Sequence, residues 1–267
     1  MMDATPLNAA LTVVAGVLTG VLSAAFGVGG AVVSTPAVRL LGVSAAYAVG
    51  TTLPSILPSA VSGTVRYTRD HLVRWPVVAW AAPTGIVAAV AGSVLSEEVP
   101  GEGHWLMIAT AGLLGLTSWR MARPNEPAEG DDQDDGEANA AGNRPLVLVG
   151  VGAAAGLLSG LLGVGGGVVL VPGFSELARV PLKNAIATSL VCVGILAVPS
   201  TLAHWALGDI DWRTAVLLSL GVVPGARLGA AAAVRANDAR LRLAVASFLG
   251  VVAVVYGVSE GLALAGR

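Results

Sequence analysis

Two glycine-broken apolar stretches combine the residue types that an uncharged anion site would need. One runs Gly20-Val21-Leu22-Ser23-Ala24-Ala25-Phe26-Gly27-Val28-Gly29-Gly30-Ala31 and reaches Pro36. The other runs Gly156-Leu157-Leu158-Ser159-Gly160-Leu161-Leu162-Gly163-Val164-Gly165-Gly166-Gly167 and reaches Pro172. Consecutive glycines permit unusual φ/ψ and let a ligand approach backbone N–H groups closely. A short helix starting after each break would aim its N-terminal N–H groups, and the positive end of its dipole, at the same spot. Ser23 and Ser159, one turn before the breaks, could add hydroxyl donors, as could Thr51, Thr52, Thr188 and Ser189 from the following apolar runs. The competing reading is packing, because small residues line membrane-helix interfaces routinely. A membrane hydroxyl, likewise, often bonds only its own helix backbone. Arg227 lies inside a late apolar run, where a charge is costly and functional by default. It is also two turns from Arg235, near enough for its head to snorkel to the interface.

Other chemistries fit less well. Neither break is followed by Lys-Ser or Lys-Thr, so no ATP-binding P-loop is written here. Ser159-Gly160 resembles a nucleophile turn, but a nucleophile needs a positioned base. The three histidines are His71 and His104, in or near loops, and His204, whose counterpart in the first half is Tyr67. The lone Cys192 cannot form an intrachain disulfide. With a net charge of −2 there is no basic footprint for nucleic acid.

The elements that would position these groups are membrane helices. The chain is 55% hydrophobic and 12% charged, with mean hydropathy +0.77, against about 25% charged in a soluble domain. Its charges cluster between long uncharged runs, as in an all-α polytopic membrane protein. Residues 7–26 are long enough to span and have no basic segment before them, so they read as a mature membrane element and not as a signal peptide. A shorter piece, 31–42, follows the first break, then runs near 47–65, 75–95 and 104–119. Residues 124–144 form a linker rich in Asp, Glu, Gly and Asn that cannot bury enough apolar surface to fold. The plan repeats after it: 146–162, the second break, a piece to about 178, then 184–207, 212–234 and 243–264.

The repetition is residue by residue. Gly20, Ser23, Gly27, Gly29, Gly30 and Pro36 recur 136 positions later. After a one-residue slip, Thr51-Thr52-Leu53, Trp75 and Gly92 recur 137 positions later. The expected organisation is a first transmembrane repeat at 1–123, the acidic linker at 124–144 and a second repeat at 145–267. Broken helices at matching places in two halves point to a binding site between the halves.

Charge counting chooses a topology. With four full crossings per half, one face would hold eight Arg and Lys residues and the other six, which decides nothing. If each break is instead the tip of a re-entrant hairpin, followed by three crossings, the bias sharpens. One face then collects Arg66, Arg69, Arg74, Arg120, Arg123, Arg144, Arg179, Lys183, Arg235, Arg240 and Arg242, and the other keeps Arg39, Arg213 and Arg267. Lys and Arg concentrate on the cytoplasmic side. The expectation is therefore inverted repeats, with termini outside and the linker in the cytoplasm.

Two apolar halves, each opening with a G-x-G-G-G-like break and a proline a few residues on, resemble the TauE/SafE family of sulfite and organosulfur-anion exporters. The likeness covers the chain outside the linker. Gly163-Val164-Gly165-Gly166-Gly167 fits the family break closely, whereas Gly27-Val28-Gly29-Gly30-Ala31 departs at its last position. The resemblance implies a cell-membrane secondary transporter for a small sulfur-containing or carboxylate anion, without a bound cofactor. A channel of the same architecture is the alternative, and an intramembrane enzyme is a distant third. The expected partners are the anion and the lipid bilayer, and a chain this small is compatible with a homodimer.

Overall fold

Charge clusters and glycines divide the apolar sequence into helices, and the computed structural model shows where each begins and ends. It describes residues 6–40, 45–96, 104–123, 145–162, 166–208 and 210–265. Gly163, Gly165, the acidic linker and residues 97–103 lie outside the described residues. The first half comprises α1 (Pro6–Phe26), α2 (Ala31–Leu40), α3 (Ala45–Arg69), α4 (Trp75–Ser96) and α5 (His104–Ala122). The second comprises α6 (Pro145–Leu162), α7 (Gly167–Pro172) running into a π turn (Gly173–Leu177), α8 (Leu182–Leu207), α9 (Trp212–Arg235) and α10 (Asp238–Ala265). No strand occurs among the described residues. By length and composition α1, α4, α8 and α9 can each cross a membrane. α3, at 25 residues, is long enough, but Ser and Thr lower its hydropathy.

The outside of the bundle is apolar, and the inside adds buried hydroxyls to an apolar core. Leu7, Leu11, Val14 and Leu18 form an exposed stripe along α1, and Val251, Val254, Val255 and Val258 do so along α10. Among the described residues the buried polar side chains are serines and threonines, with Tyr67 and Cys192 beside them, and none is charged. This is the arrangement that lipid as solvent selects, because neighbouring helices gain nothing from apolar burial and associate through small and hydroxylic residues instead. Trp75 and Trp212, which occupy equivalent places in the two halves, are both exposed at the starts of α4 and α9. Trp80, Trp119 and Trp205 are exposed as well, as expected of interface-belt residues.

Two helix pairs carry the tightest packing, and glycine makes both. Gly16 and Gly20 of α1 lie against the backbone of Leu218 and Val222 on α9, and Gly225 and Gly229 of α9 lie against Val17 and Val21. In the other pair Gly152 and Gly156 of α6 meet Ala81 and Gly85 on α4, and Gly92 meets Leu157. The second set repeats the first at the sequence offset between the halves, and in each pair the helices run parallel. A Cβ at any of these positions would run into a backbone carbonyl of the partner helix. Gly156→Val is accordingly expected to cost about 1–3 kcal/mol by overpacking, read as a lower melting temperature in detergent. Gly150→Val on the same helix, where a Cβ meets nothing within 4 Å, should leave it unchanged.

Hydrogen bonds fix the two ends of the bundle. Asn184 Nδ2, in the first turn of α8, donates to Leu72 O just beyond α3 (2.9 Å), and Arg74 N donates to Thr188 Oγ1 (3.0 Å). At the opposite end Asp211 N, just beyond α8, donates to Thr51 Oγ1 near the start of α3 (2.9 Å). α3 and α8 therefore run antiparallel. Lys183 pairs with Asp238 (3.0 Å), Arg242 Nε donates to Met121 O (2.9 Å), and Arg242 lies 3.7 Å from Glu176. These contacts gather the starts of α8 and α10, the finish of α5 and the π turn at the Arg74 end. α2 finishes toward the other end, where Val38 clusters with Ala48 and Leu218 near the starts of α3 and α9.

Candidate functional site

The site is built from the two breaks. α1 ends because Gly27 adopts φ +67°, the left-handed conformation that closes a helix, with Gly27 N bonded to Ser23 O at 2.8 Å. Gly29 is also left-handed, at φ +81°. α2 restarts at once: Gly30 O accepts from Val33 N (3.0 Å) and Ser34 N (2.9 Å). In the second half Gly166, at φ +64°, plays the same part for α7, its carbonyl accepting from Val169 N (3.1 Å) and Leu170 N (3.2 Å). Each break thus delivers a helix start whose first N–H groups have no acceptor within the helix.

The tertiary structure presses the two breaks together. A Cβ at Gly167 would collide with the Val28 backbone and the Val193 side chain, and one at Gly27 with Ile186 O and Ser189 Oγ. Ser189 Oγ, on α8, donates to Gly27 O and clamps the first break to the opposite half. Ser59 on α3 donates to Ser23 Oγ at 3.2 Å, and Thr35 and Thr52 share a hydrogen bond of 3.0 Å. Tyr67 OH donates to Ala24 O at 2.6 Å, holding the last turn of α1. Gly27, Gly29, Gly30, Gly166, Gly167, Ser23, Ser159, Thr51, Thr52, Thr188 and Ser189 are all buried.

The structure therefore brings together the described glycines of both breaks with Ser23 and Ser189, while Thr52 ties α3 to α2. Thr51 and Thr188 act reciprocally, since each accepts a backbone N–H from the other half, at Asp211 and Arg74. Arg227 is not brought to the site; its side chain is exposed, like that of Leu228 beside it, while the neighbouring Ala226 and Gly229 face inward. Sequence reasoning passed over Ser59, Thr35, Tyr67 and Thr19. The spacing held a signal for two of them: Thr19 and Ser23 are four apart, as are Ser55 and Ser59, so each pair shares a helix face. Thr19 and Ser159 stand out chemically, for each is buried with a hydroxyl that has no hydrogen-bond partner.

Without any buried cation among the described residues, the arrangement offers backbone N–H groups and hydroxyls converging between two halves. Such donors solvate a small anion through hydrogen bonds and helix dipoles.

Comparison with known proteins yields one family and a set of relatives. The model of the family described as sulfite exporter TauE/SafE matches residues 12–256. A "Probable membrane transporter protein" of Xylella fastidiosa (strain 9a5c) is 27% identical, covering 84% of this chain and 85% of its own. The "Probable membrane transporter protein YunE" of Bacillus subtilis is 26% identical over 83% and 87%. A relative of the same description from Methanocaldococcus jannaschii is 22% identical over 90% and 92%. No solved structure matches the chain.

Proposed function

Because the chain belongs to the TauE/SafE sulfite exporter family, we propose that this membrane protein is a secondary transporter for a small sulfur-containing or organic anion such as sulfite or a sulfonate. The observation that carries this is the abutment of the two breaks, Gly167 against Val28, in an interior lined, among the described residues, by uncharged serine and threonine hydroxyls. A tetrahedral or pyramidal oxyanion accepts several hydrogen bonds at once, which N–H groups at two helix starts and nearby hydroxyls can supply. A site without a fixed cation also lets the anion leave again, as turnover requires.

Repeats of inverted topology, each with a re-entrant hairpin, complete the proposal, with the halves divided by the linker at 124–144. Three observations support it. Equivalent helices α3 and α8 start at opposite ends, and the two threonines near their starts make reciprocal bonds. α1 runs parallel to α9, while α2 returns toward the end from which α9 starts. The Arg74 end carries Arg66, Arg69, Arg120, Arg123, Arg179, Lys183, Arg235, Arg240 and Arg242, whereas Arg213 lies at the other. By the positive-inside rule the Arg74 end faces the cytoplasm of the cell membrane.

The test is flux in proteoliposomes loaded with sulfite, ethanesulfonate or acetate under an imposed ion gradient or membrane potential. Saturable accumulation of at least one anion against its gradient is expected. Flux that only equilibrates would favour the channel, and absence of flux with all three would sink the anion reading.

A further inference from the structure

Thr19 is a candidate ligand to the transported anion that the repeat pattern conceals. It lies on α1, two turns before the first break, and is fully buried, at 0% exposure. Its methyl group, on the same carbon as the hydroxyl, reaches the start of α2: a Cβ built on Gly30 would sit 3.1 Å from Thr19 Cγ2. Its hydroxyl has no hydrogen-bond partner. A buried hydroxyl is normally satisfied, and an unsatisfied one costs stability. Threonine in a helix can usually bond the carbonyl four residues back, as Thr12 does with Asn8 O at 2.7 Å on the same helix. Thr19 makes no such bond.

The neighbourhood is prepared for an acceptor. Gly29 is left-handed and Gly30 opens α2, a helix of 10 residues whose first N–H groups lack intrahelical partners. Ser23, one turn along the same face, already accepts a hydrogen bond from Ser59. The second half lacks the hydroxyl: the equivalent of Thr19 is Ala155, whose Cβ would lie 3.4 Å from a Cβ at Gly166, much as the Thr19 methyl would lie 3.1 Å from one at Gly30. The two breaks are thus alike in backbone and different in side-chain donors.

We propose that the Thr19 hydroxyl donates to an anionic oxygen of the substrate at the first break, beside the N-terminus of α2, so that the binding site is asymmetric between the repeats. The inference rests on the anion-transport reading and adds a specificity-determining residue to it. An anion with a free oxygen, such as sulfite, a sulfonate or a carboxylate, satisfies the hydroxyl.

The experiment uses the full-length protein in detergent and in proteoliposomes, with sulfite, ethanesulfonate and acetate as probes and chloride as comparison. Wild type should be thermally stabilised by at least one oxyanion and transport it. Thr19→Val, which keeps the shape and removes the hydroxyl, should raise KM for that anion at least tenfold and lose the stabilisation. Its ligand-free melting temperature should stay level or rise, since an unsatisfied group is gone. Thr19→Ser should restore transport. An unchanged KM in Thr19→Val, beside a wild type that responds to an oxyanion, overturns the role of Thr19 and leaves the transporter reading standing. A wild type that responds to none of the probes overturns both.

Discussion

Gly166→Val is expected to abolish transport while the protein still inserts in the membrane. Two penalties coincide at this position. The residue is left-handed, at φ +64°, which costs a side-chain-bearing residue roughly 1–2 kcal/mol and a β-branched one the upper part of that range. The new Cβ would also stand 2.6 Å from Ala155 O, an overpacking that adds about 1–3 kcal/mol. The backbone can escape only by moving Gly166 and Gly167 off α6, and Gly167 is the residue in contact with Val28. A displacement worth about 3 kcal/mol in the competent geometry lowers the rate by roughly a hundredfold. Radiolabelled anion flux, normalised to protein in the membrane, measures it. Gly150→Val is the matched control, since a Cβ there meets nothing within 4 Å. If Gly166→Val transports at the wild-type rate, the junction of the breaks is not the site.

Sidedness offers an all-or-none result. Arg69, Arg213 and Arg240 are exposed, and each can be replaced by cysteine in the native background because Cys192 is buried. Four crossings per half would put positions 69 and 213 on one side of the membrane and 240 on the other. Hairpins with three crossings put 69 and 240 together and 213 opposite. With a membrane-impermeant maleimide on intact cells, Arg213→Cys is expected to label at once, and Arg69→Cys and Arg240→Cys only after permeabilisation. Labelling of positions 69 and 213 from the same side would overturn the inverted arrangement.

The order of helices was legible in the sequence because charge and hydropathy alternate on the scale of a membrane crossing. The cation clusters at 66–74, 120–123, 179–183 and 235–242 end or begin helices as the hydropathy required, and Gly27, Gly29 and Gly166 break the helices where the glycine runs stand. The 136- and 137-residue offsets also anticipated which contacts recur, since Gly20 on Val222 and Gly156 on Gly85 are the same contact in two halves.

Which way each helix faces was not legible, and that is where the site reading needed the structure. In a soluble helix the apolar face points inward and periodicity reveals it. In this chain lipid-facing and core-facing positions are both apolar, so hydropathy carries little information about rotation about the helix axis. Arg227 was thus a site candidate by sequence and is exposed in the fold. Gly20 and Gly156 belong to the same motif as the breaks, yet they serve close backbone packing between α1 and α9 and between α6 and α4. Sequence alone determined that two broken helices recur in two halves of an apolar chain with cations gathered in a few loops. Only the tertiary structure decided that Gly167 rests on Val28, that Ser189 clamps Gly27, and that Thr19 stands unpartnered where its counterpart is alanine. Those facts depend on contacts between residues more than a hundred positions apart, or on a missing partner, and local pattern encodes neither.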